Sequence, residues 1–428
     1  MQEKMHELIK AHFGENRSPV SASNNALVAE VMAVLDGDII ESPSGADVLE
    51  WKIPKRWHVR EAYIATKGGA KLVDYNDSPL HLWTHSVSFC GTLSKDELAA
   101  HIVFDEQHPD WIPYHGRNGY KYDSEAWGFS VSYNQWMKFE EDEYIVFIDA
   151  DLDNKGVMLT GDCVIHGTNK ETIFFAAHSC HPAIATDGLT NIAVLVELFR
   201  ILSGKKNKYT YRCIVGSEYF AAASFLSNSS KEDIANLKNG IYLDMLGNRQ
   251  NFAYQSSFQA DSPLDRIVLN VFKSQLPTFG VFDYRGLWGN DEMFYSGPGF
   301  CIPTLGIAGS RHPEYHYNTD NLDLVDFDQL ALAVDLLMKI IDVAETDYVP
   351  VLMYKGPLFL SKYNLYIDPK INQSGYKNIE AIQILANGEK SCFEIADELG
   401  IDYFWTKDFF DKLKRHSLIE KREKNLFL

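Results

Sequence analysis

Between Thr172 and Leu202 the chain reads TIFFAAHSCHPAIATDGLTNIAVLVELFRIL, and the residues able to do chemistry stand in its middle: His178, His181 and Asp187. Two imidazoles and a carboxylate so close together suit a borderline cation such as zinc. A histidine near the end of a strand is more often a hydrogen-bonded surface or core residue, and a short His-rich tract is only a compositional hint. Further donors must therefore come from elsewhere. The segment YRCIVG is followed by Ser217-Glu218-Tyr219, NGIYL by Asp244, and HPEYHYNTDNLD carries His312, His316 and Asp320. Singly, Glu218 could serve a helix dipole and Asp244 a turn. Converging in one place, such carboxylates would repel unless a cation neutralised them. A zinc ion held by His and Asp, with an open position and a nearby glutamate, is a hydrolase constellation.

These residues need elements that bring them together. Thr172–Ala177 is a short apolar run rich in aromatic and β-branched residues, as expected of a strand buried on both faces. Ile192, Leu195, Val196, Phe199 and Leu202 repeat at helical spacing after it. The same alternation continues: strand Tyr211–Val215 and a helix near Phe220–Leu226, strand Gly240–Leu243, a helix over Pro263–Gln275, and a closing helix Asp326–Glu345. Strands alternating with helices predict an α/β domain with a mostly parallel mixed sheet flanked by helices, its ligand site at the carboxyl ends of the strands. Residues 1–40 read as two helices, the second capped by Ser21 or Ser23. From 48 to 164 tryptophans and turn signals recur, predicting an inserted β-rich module with one helical piece at Lys95–His101. The domain organisation expected is therefore 1–47 with 165–348 as the α/β domain, 48–164 as the insert, a proline-bearing linker 349–373, and three helices and a hairpin over 374–428, a winged-helix pattern.

The bulk composition narrows the function classes. The chain has 428 residues, more than one hydrophobic core usually covers, with 46% hydrophobic and 23% charged residues. A net charge of −19 argues against a nucleic-acid or anionic-membrane surface over most of it. No apolar run has the length of a membrane span, and MQEKMHELIK is amphipathic rather than a secretory signal. The six cysteines are scattered without a CxxC pair, which points to reduced thiols and a cytoplasmic location.

At this point the residues carry a resemblance. The α/β body resembles the zinc exopeptidase superfamily of bacterial aminopeptidases and glutaminyl cyclases. The whole chain is similar to an uncharacterised bacterial aminopeptidase-like family with an inserted β module and a C-terminal winged helix, through WKIPKRW, IPYHGRNGYKYDSEAWGF, SCHPAIATD and GNDE. The resemblance implies His181 (or His178), Asp187, Asp244 and His316 as metal residues, with Asp320 completing the late H-x-x-x-D segment and Glu218 as general base. In GLWGNDEMFY, Asp291 and Glu292 could hold a substrate ammonium. Counting from the C-H-P phrase favours His181 as ligand and leaves His178 a supporting or pocket role; counting from His178 reverses this, with Cys180 where the superfamily has an aspartate. Tyr219 stands where two-metal aminopeptidases have a second glutamate, so one tight zinc and a second weak or absent ion are expected. Arg285 reads as a salt-bridge residue before a carboxylate holder.

The expectation is a zinc-dependent aminopeptidase-like hydrolase acting on a small peptide or amide, with polysaccharide biosynthesis as the pathway the resemblance suggests. The alternative is a catalytically degenerate exopeptidase-fold scaffold working through its winged helix, and a homo-oligomer is left open. In that last module Lys412, Lys414, Arg415, Lys421, Arg422 and Lys424 outnumber Glu420 and Glu423, but Glu394, Asp397, Glu398, Asp402, Asp408 and Asp411 would repel phosphate. Protein binding is therefore favoured over DNA binding there.

Overall fold

The computed structural model describes residues 1–427. Thr172–His178 is a strand buried at every position, because helices cover both faces of its sheet and no solvent face remains for polar alternation. Phe174 and Ala176 belong to one core cluster with Phe220, Ala223 and Tyr295. Phe175, pointing the other way, meets Phe199 of helix Leu189–Ser203 edge-on at 6.0 Å. Burying such side chains contributes roughly 1.5–3 kcal/mol each.

The sheet has eight strands in the order Asp38–Pro43, Val157–Ile165, Thr210–Gly216, Thr172–His178, Leu237–Asp244, Thr304–Gly309, Phe252–Gln255 and Gly280–Phe282. The four central strands, Thr210–Gly216 to Thr304–Gly309, are mutually parallel; the first two and Phe252–Gln255 pair antiparallel to their inner neighbours. This is the mostly parallel mixed sheet expected. Ser21 caps helix Ala22–Leu35 by accepting from the Asn24 amide.

The boundaries differ from the sequence reading at two strands. Val157–Ile165, read as the end of the inserted module, is a strand of the large sheet; its alternation looks the same in either sheet, and only its partners distinguish them. The insert proper holds a second, four-stranded sheet built on Arg56–Thr66 and Glu143–Asp153, with its own core around Trp57, Trp127, Phe129 and Tyr144. Tyr348–Leu352, read as the start of a linker, is a strand paired with Ile419–Glu423.

By internal contacts the chain divides into two compact units, 1–258 with 280–334, and 259–279 with 335–428. The helix Pro263–Gln275, read as part of the α/β body, thus belongs to the second unit. There Arg266 pairs with Asp397 at 2.7 Å, and Asn270 donates to the Ile401 carbonyl. Helices Gln373–Leu385, Cys392–Leu399 and Tyr403–Arg415 follow in that unit. Ser391 and Glu394 form a capping box, and Gly400 ends the helix at φ +63°. Several of the module's cations are paired: Lys412 with Asp408, Lys421 with Asp411 and Lys424 with Glu394. Among the described residues no helix is long and apolar enough to cross a membrane.

Candidate active site

The carboxyl ends of the four parallel strands lie side by side in register, with His178 opposite Gly216 and Asp244 opposite Ala308. His178 and Asp244 are the last residues of their strands, and Glu218 follows Gly216 by two. Asp187 sits in the loop before helix Leu189–Ser203, whose start is Gly188 at φ +113°. A Cβ there would lie 2.9 Å from the His178 carbonyl and 3.0 Å from its ring, so glycine is required by both torsion and space.

The donor atoms fall into sets that share Asp187. His178, Asp187 and Asp244 form one, His181, Asp187 and His316 another, each with one donor atom per residue within 4.8 Å of the rest. His178 Nε2 lies 3.0 Å from Asp187 Oδ1 and 3.4 Å from Asp244 Oδ1. His316 Nε2 lies 3.0 Å from Asp187 Oδ2, and His181 Nδ1 3.9 Å from Asp187 Oδ1. Despite these short separations, His178 Nε2, Asp187 Oδ2 and His316 Nε2 are buried without a hydrogen-bond partner: the atoms converge but are not aligned donor to acceptor. Convergent, misaligned and buried donors fit a cation held between them. His178, given second place to His181 in the sequence, is the imidazole near both Asp187 and Asp244; His181 faces Asp187 and His316. A third set, His178, Cys180 and His181, adds a thiol.

The electrostatics follow from the crowding of these groups. Burial alone would lower His178, but the Asp187 and Asp244 carboxylates hold its pKa well above the ordinary imidazole value. Burial pushes His181 well below that value. Burial would raise Asp187, yet the surrounding imidazoles keep it well below the usual carboxylate range. Burial raises Glu218 and Asp244.

Glu218 belongs to none of the donor sets. The backbone turns sharply just after it: Tyr219 has φ +62° and ψ −48°, and the Phe220 amide donates to the Glu218 carbonyl at 2.7 Å, a strained γ-turn. The Tyr219 amide donates to Asp291 Oδ1 and its hydroxyl to the Gly289 carbonyl, so this side chain, standing in the place of a second glutamate, points away from the imidazoles. The Glu218 amide donates to Cys180 Sγ at 3.1 Å.

A cavity of about 350 Å³ opens over Asp187, Glu218 and Asp244, with Trp288, Asn290 and Tyr315 among its walls. Asp291 and Glu292, expected to hold a substrate ammonium, are not among its lining residues. Asp291 supports the Tyr219 turn, and Glu292 pairs with Arg285 at 3.2 Å, the salt bridge read as Arg285's more ordinary role. From this segment it is Asn290 that reaches the site, donating to Asp244 Oδ2 at 3.2 Å. Burial lifts Asp291 to about 8 and Glu292 to about 7.

Several supporting residues have no local signature in the sequence. Arg17, fully buried, donates to the carbonyls of Ser179, His181 and Ile184 and so fastens the imidazole loop; burial lowers it to about 10. Ser217 is fastened to Asn24 and Pro19. Arg17 and Pro19 lie in ENRSPVSAS, the break between the first two helices, and Asn24 stands just after it. Asp320 accepts from the Thr186 amide and hydroxyl and from the Asp187 amide, which fixes the loop that presents Asp187. The IPYHGRNGYKY segment of the insert reaches the same place: the Tyr120 hydroxyl donates to Glu218 Oε2 at 2.6 Å, and the Tyr114 ring meets those of His181 and His316 edge-on.

Residues 6–347 match the family described as Domain of unknown function (DUF4910). This chain belongs to that family. It is 27% identical over 399 residues, 90% of this chain and 88% of the other, to a Clostridium acetobutylicum protein provisionally named as a polysaccharide biosynthesis protein with an aminopeptidase-like domain. A crystal structure of a provisionally named peptidase from Clostridium acetobutylicum superposes with a TM-score of 0.88 at 26% identity, covering 98% of this chain and 96% of that one. The zinc aminopeptidase BSAP of Bacillus subtilis superposes with a TM-score of 0.56 at 13% identity, over 81% of this chain and 95% of its own. The aminopeptidase-like relationship expected from the sequence therefore holds, and the fold is that of a zinc aminopeptidase.

Proposed function

We propose that this protein is a metal-dependent hydrolase of an amide or peptide bond, with Glu218 as general base. The observation that carries the reading is the pair of donor sets sharing Asp187, with Glu218 beside them in the same cavity but in neither set. His178, Asp187 and Asp244 would hold the tighter ion; His181, Asp187 and His316 would hold a second, weaker one, since Tyr219 brings no carboxylate to it. Zinc bound there would supply Lewis acidity, lowering the pKa of water and stabilising negative charge on a carbonyl oxygen.

The remaining work falls to the chain. Glu218, its pKa raised by burial, takes a proton from the attacking water and delivers it to the leaving nitrogen. Tyr120 orients the Glu218 carboxylate through its hydroxyl, and the Tyr219 turn fixes the backbone from which it projects. Tyr114 and Tyr315 flank the His316 ring and hold its orientation. The Clostridium relative's name supports placing the substrate in polysaccharide biosynthesis, where the amide of an amino sugar is the target we propose. The deciding experiment combines elemental analysis of untagged protein with hydrolysis of aminoacyl amides. Stoichiometric zinc with activity lost in Glu218→Gln supports the reading, and protein that binds no metal overturns it.

The absence of a carboxylate at Tyr219 favours a second reading, a scaffold that keeps the metal without turnover. Stoichiometric zinc with no hydrolysis across a broad amide panel is the outcome it expects.

A further inference from the structure

The floor of the cavity is acidic, but one wall carries a guanidinium. Arg311 lines the cavity together with Glu218, Leu287, Trp288 and Tyr315. It is held rigidly: Nε donates to the Leu287 carbonyl at 3.3 Å, and Nη2 to the carbonyls of Gly286 at 2.9 Å and Leu287 at 3.1 Å. These acceptors are neutral, and among the described residues Nη1 has no partner. Among the described residues no carboxylate pairs with Arg311, whereas the neighbouring Arg285 is satisfied by Glu292.

A guanidinium fixed on one edge and free on the other is a preformed acceptor for an anion, since its planar fork loses little further entropy on binding. The carboxylates of Asp187, Asp244 and Glu218 would repel such an anion from a bare site, so its binding requires that bound cations first neutralise the floor. Leu287 and Trp288 line the same cavity as the exposed Arg311 and offer apolar surface to the carbon skeleton of a ligand.

We propose that the amide cleaved here carries a carboxylate, and that Arg311 recognises it. The inference rests on the hydrolase reading for the word cleaved, but the recognition itself is a binding property. The carboxylate can come from either side of the scissile bond: from the acyl side chain, as in a glutamyl amide, or from the released amine, as in a dipeptide.

The test is binding, measured by calorimetry on zinc-loaded Glu218→Gln protein so that turnover does not intervene. The probes are two near-isosteric pairs, glutamyl anilide against glutaminyl anilide and alanylalanine against alanylalaninamide. In one pair the charged member should bind about 10-fold or more tighter, the usual worth of a charge-assisted hydrogen bond, and which pair shows it assigns the source. In Arg311→Gln the two members should converge to within about 2-fold; Arg311→Lys should retain part of the difference, because it keeps charge without the fork. Equal binding of both members of both pairs to the zinc-loaded protein overturns the inference without reference to any variant. A preference that survives Arg311→Gln also overturns it. If the preference is present and lost in that variant while the Glu218-intact protein hydrolyses neither the probes nor any member of a broad amide panel, recognition stands and the scaffold reading replaces the hydrolase reading.

Discussion

In the proposed reaction the chemistry turns on Glu218. Replacing it by Gln keeps size and polarity but removes the proton acceptor. Zinc content should stay near that of the wild type, because Glu218 belongs to neither donor set. Activity on an aminoacyl amide should fall by about 10²–10⁴-fold, with little change in KM. Loss of the metal in this variant would make Glu218 a ligand. The two imidazoles separate by the same measurement. His178 touches both Asp187 and Asp244, whereas His181 lies 3.9 Å from Asp187. His178→Ala should therefore lose the tightly held zinc, and His181→Ala should lose only the second equivalent. The reverse pattern, read by elemental analysis, would restore the assignment that the C-H-P phrase favours.

At the scale of elements, the site depends on how tightly strand ends and loops are tied. Gly188 starts the helix after Asp187 at φ +113°, and its Cα faces the His178 carbonyl. Gly188→Ala should cost about 1–3 kcal/mol in torsional strain alone, and the added Cβ would press on both the His178 backbone carbonyl and its imidazole. Reduced zinc occupancy accompanied by a lower Tm is the expected result; unchanged zinc and Tm would show that the loop has room to relax. The anchors of this loop, Arg17 and Asp320, come from either end of the unit. One backbone displacement would thus disturb several donors at once.

The whole molecule should respond to pH and to chelation. Asp291 and Glu292 have folded-state values raised to about 8 and about 7 by burial. In the metal-free protein these two groups bind more protons in the folded state than in the unfolded chain between pH 4 or so and about 8. Their contribution to stability falls as pH rises through that window. Asp291→Asn removes one titrating group, so the metal-free variant's Tm should decline less steeply from about pH 5 to about pH 8; an unchanged slope in a melting series would refute the assignment. Restoring zinc should raise Tm by mass action. The second unit joins residues 259–279 to 335–428, and Arg266 and Asn270 bond to Asp397, Ile401 and Tyr403 within it. Ending the chain near residue 357 therefore strips partners from helix Pro263–Gln275. A stability loss of order 1–3 kcal/mol per unmet buried group is expected, rather than a clean removal of a spare module, and denaturant melts would measure it.

What the sequence by itself determined was local. An apolar run such as Thr172–Ala177 can only be a strand covered on both faces, and polar residues at the ends of successive strands must meet where a parallel sheet ends. That sufficed for the mixed α/β sheet and for gathering His178, His181, Asp187, Glu218, Asp244 and His316. Spacing along the chain could not say which imidazole faces which carboxylate, because that depends on loop torsions such as Ala183 at φ +49° and Gly188 at φ +113°. Nor could it separate Asn290 from Asp291 and Glu292, three adjacent polar residues of which only the first lines the cavity. Arg17, Tyr120 and Arg311 stand in segments with no periodicity of their own, and they act on groups brought near only by folding. The tertiary structure alone decided their surroundings, since burial, orientation and a missing counter-charge are properties of a place in space rather than of a position in the chain.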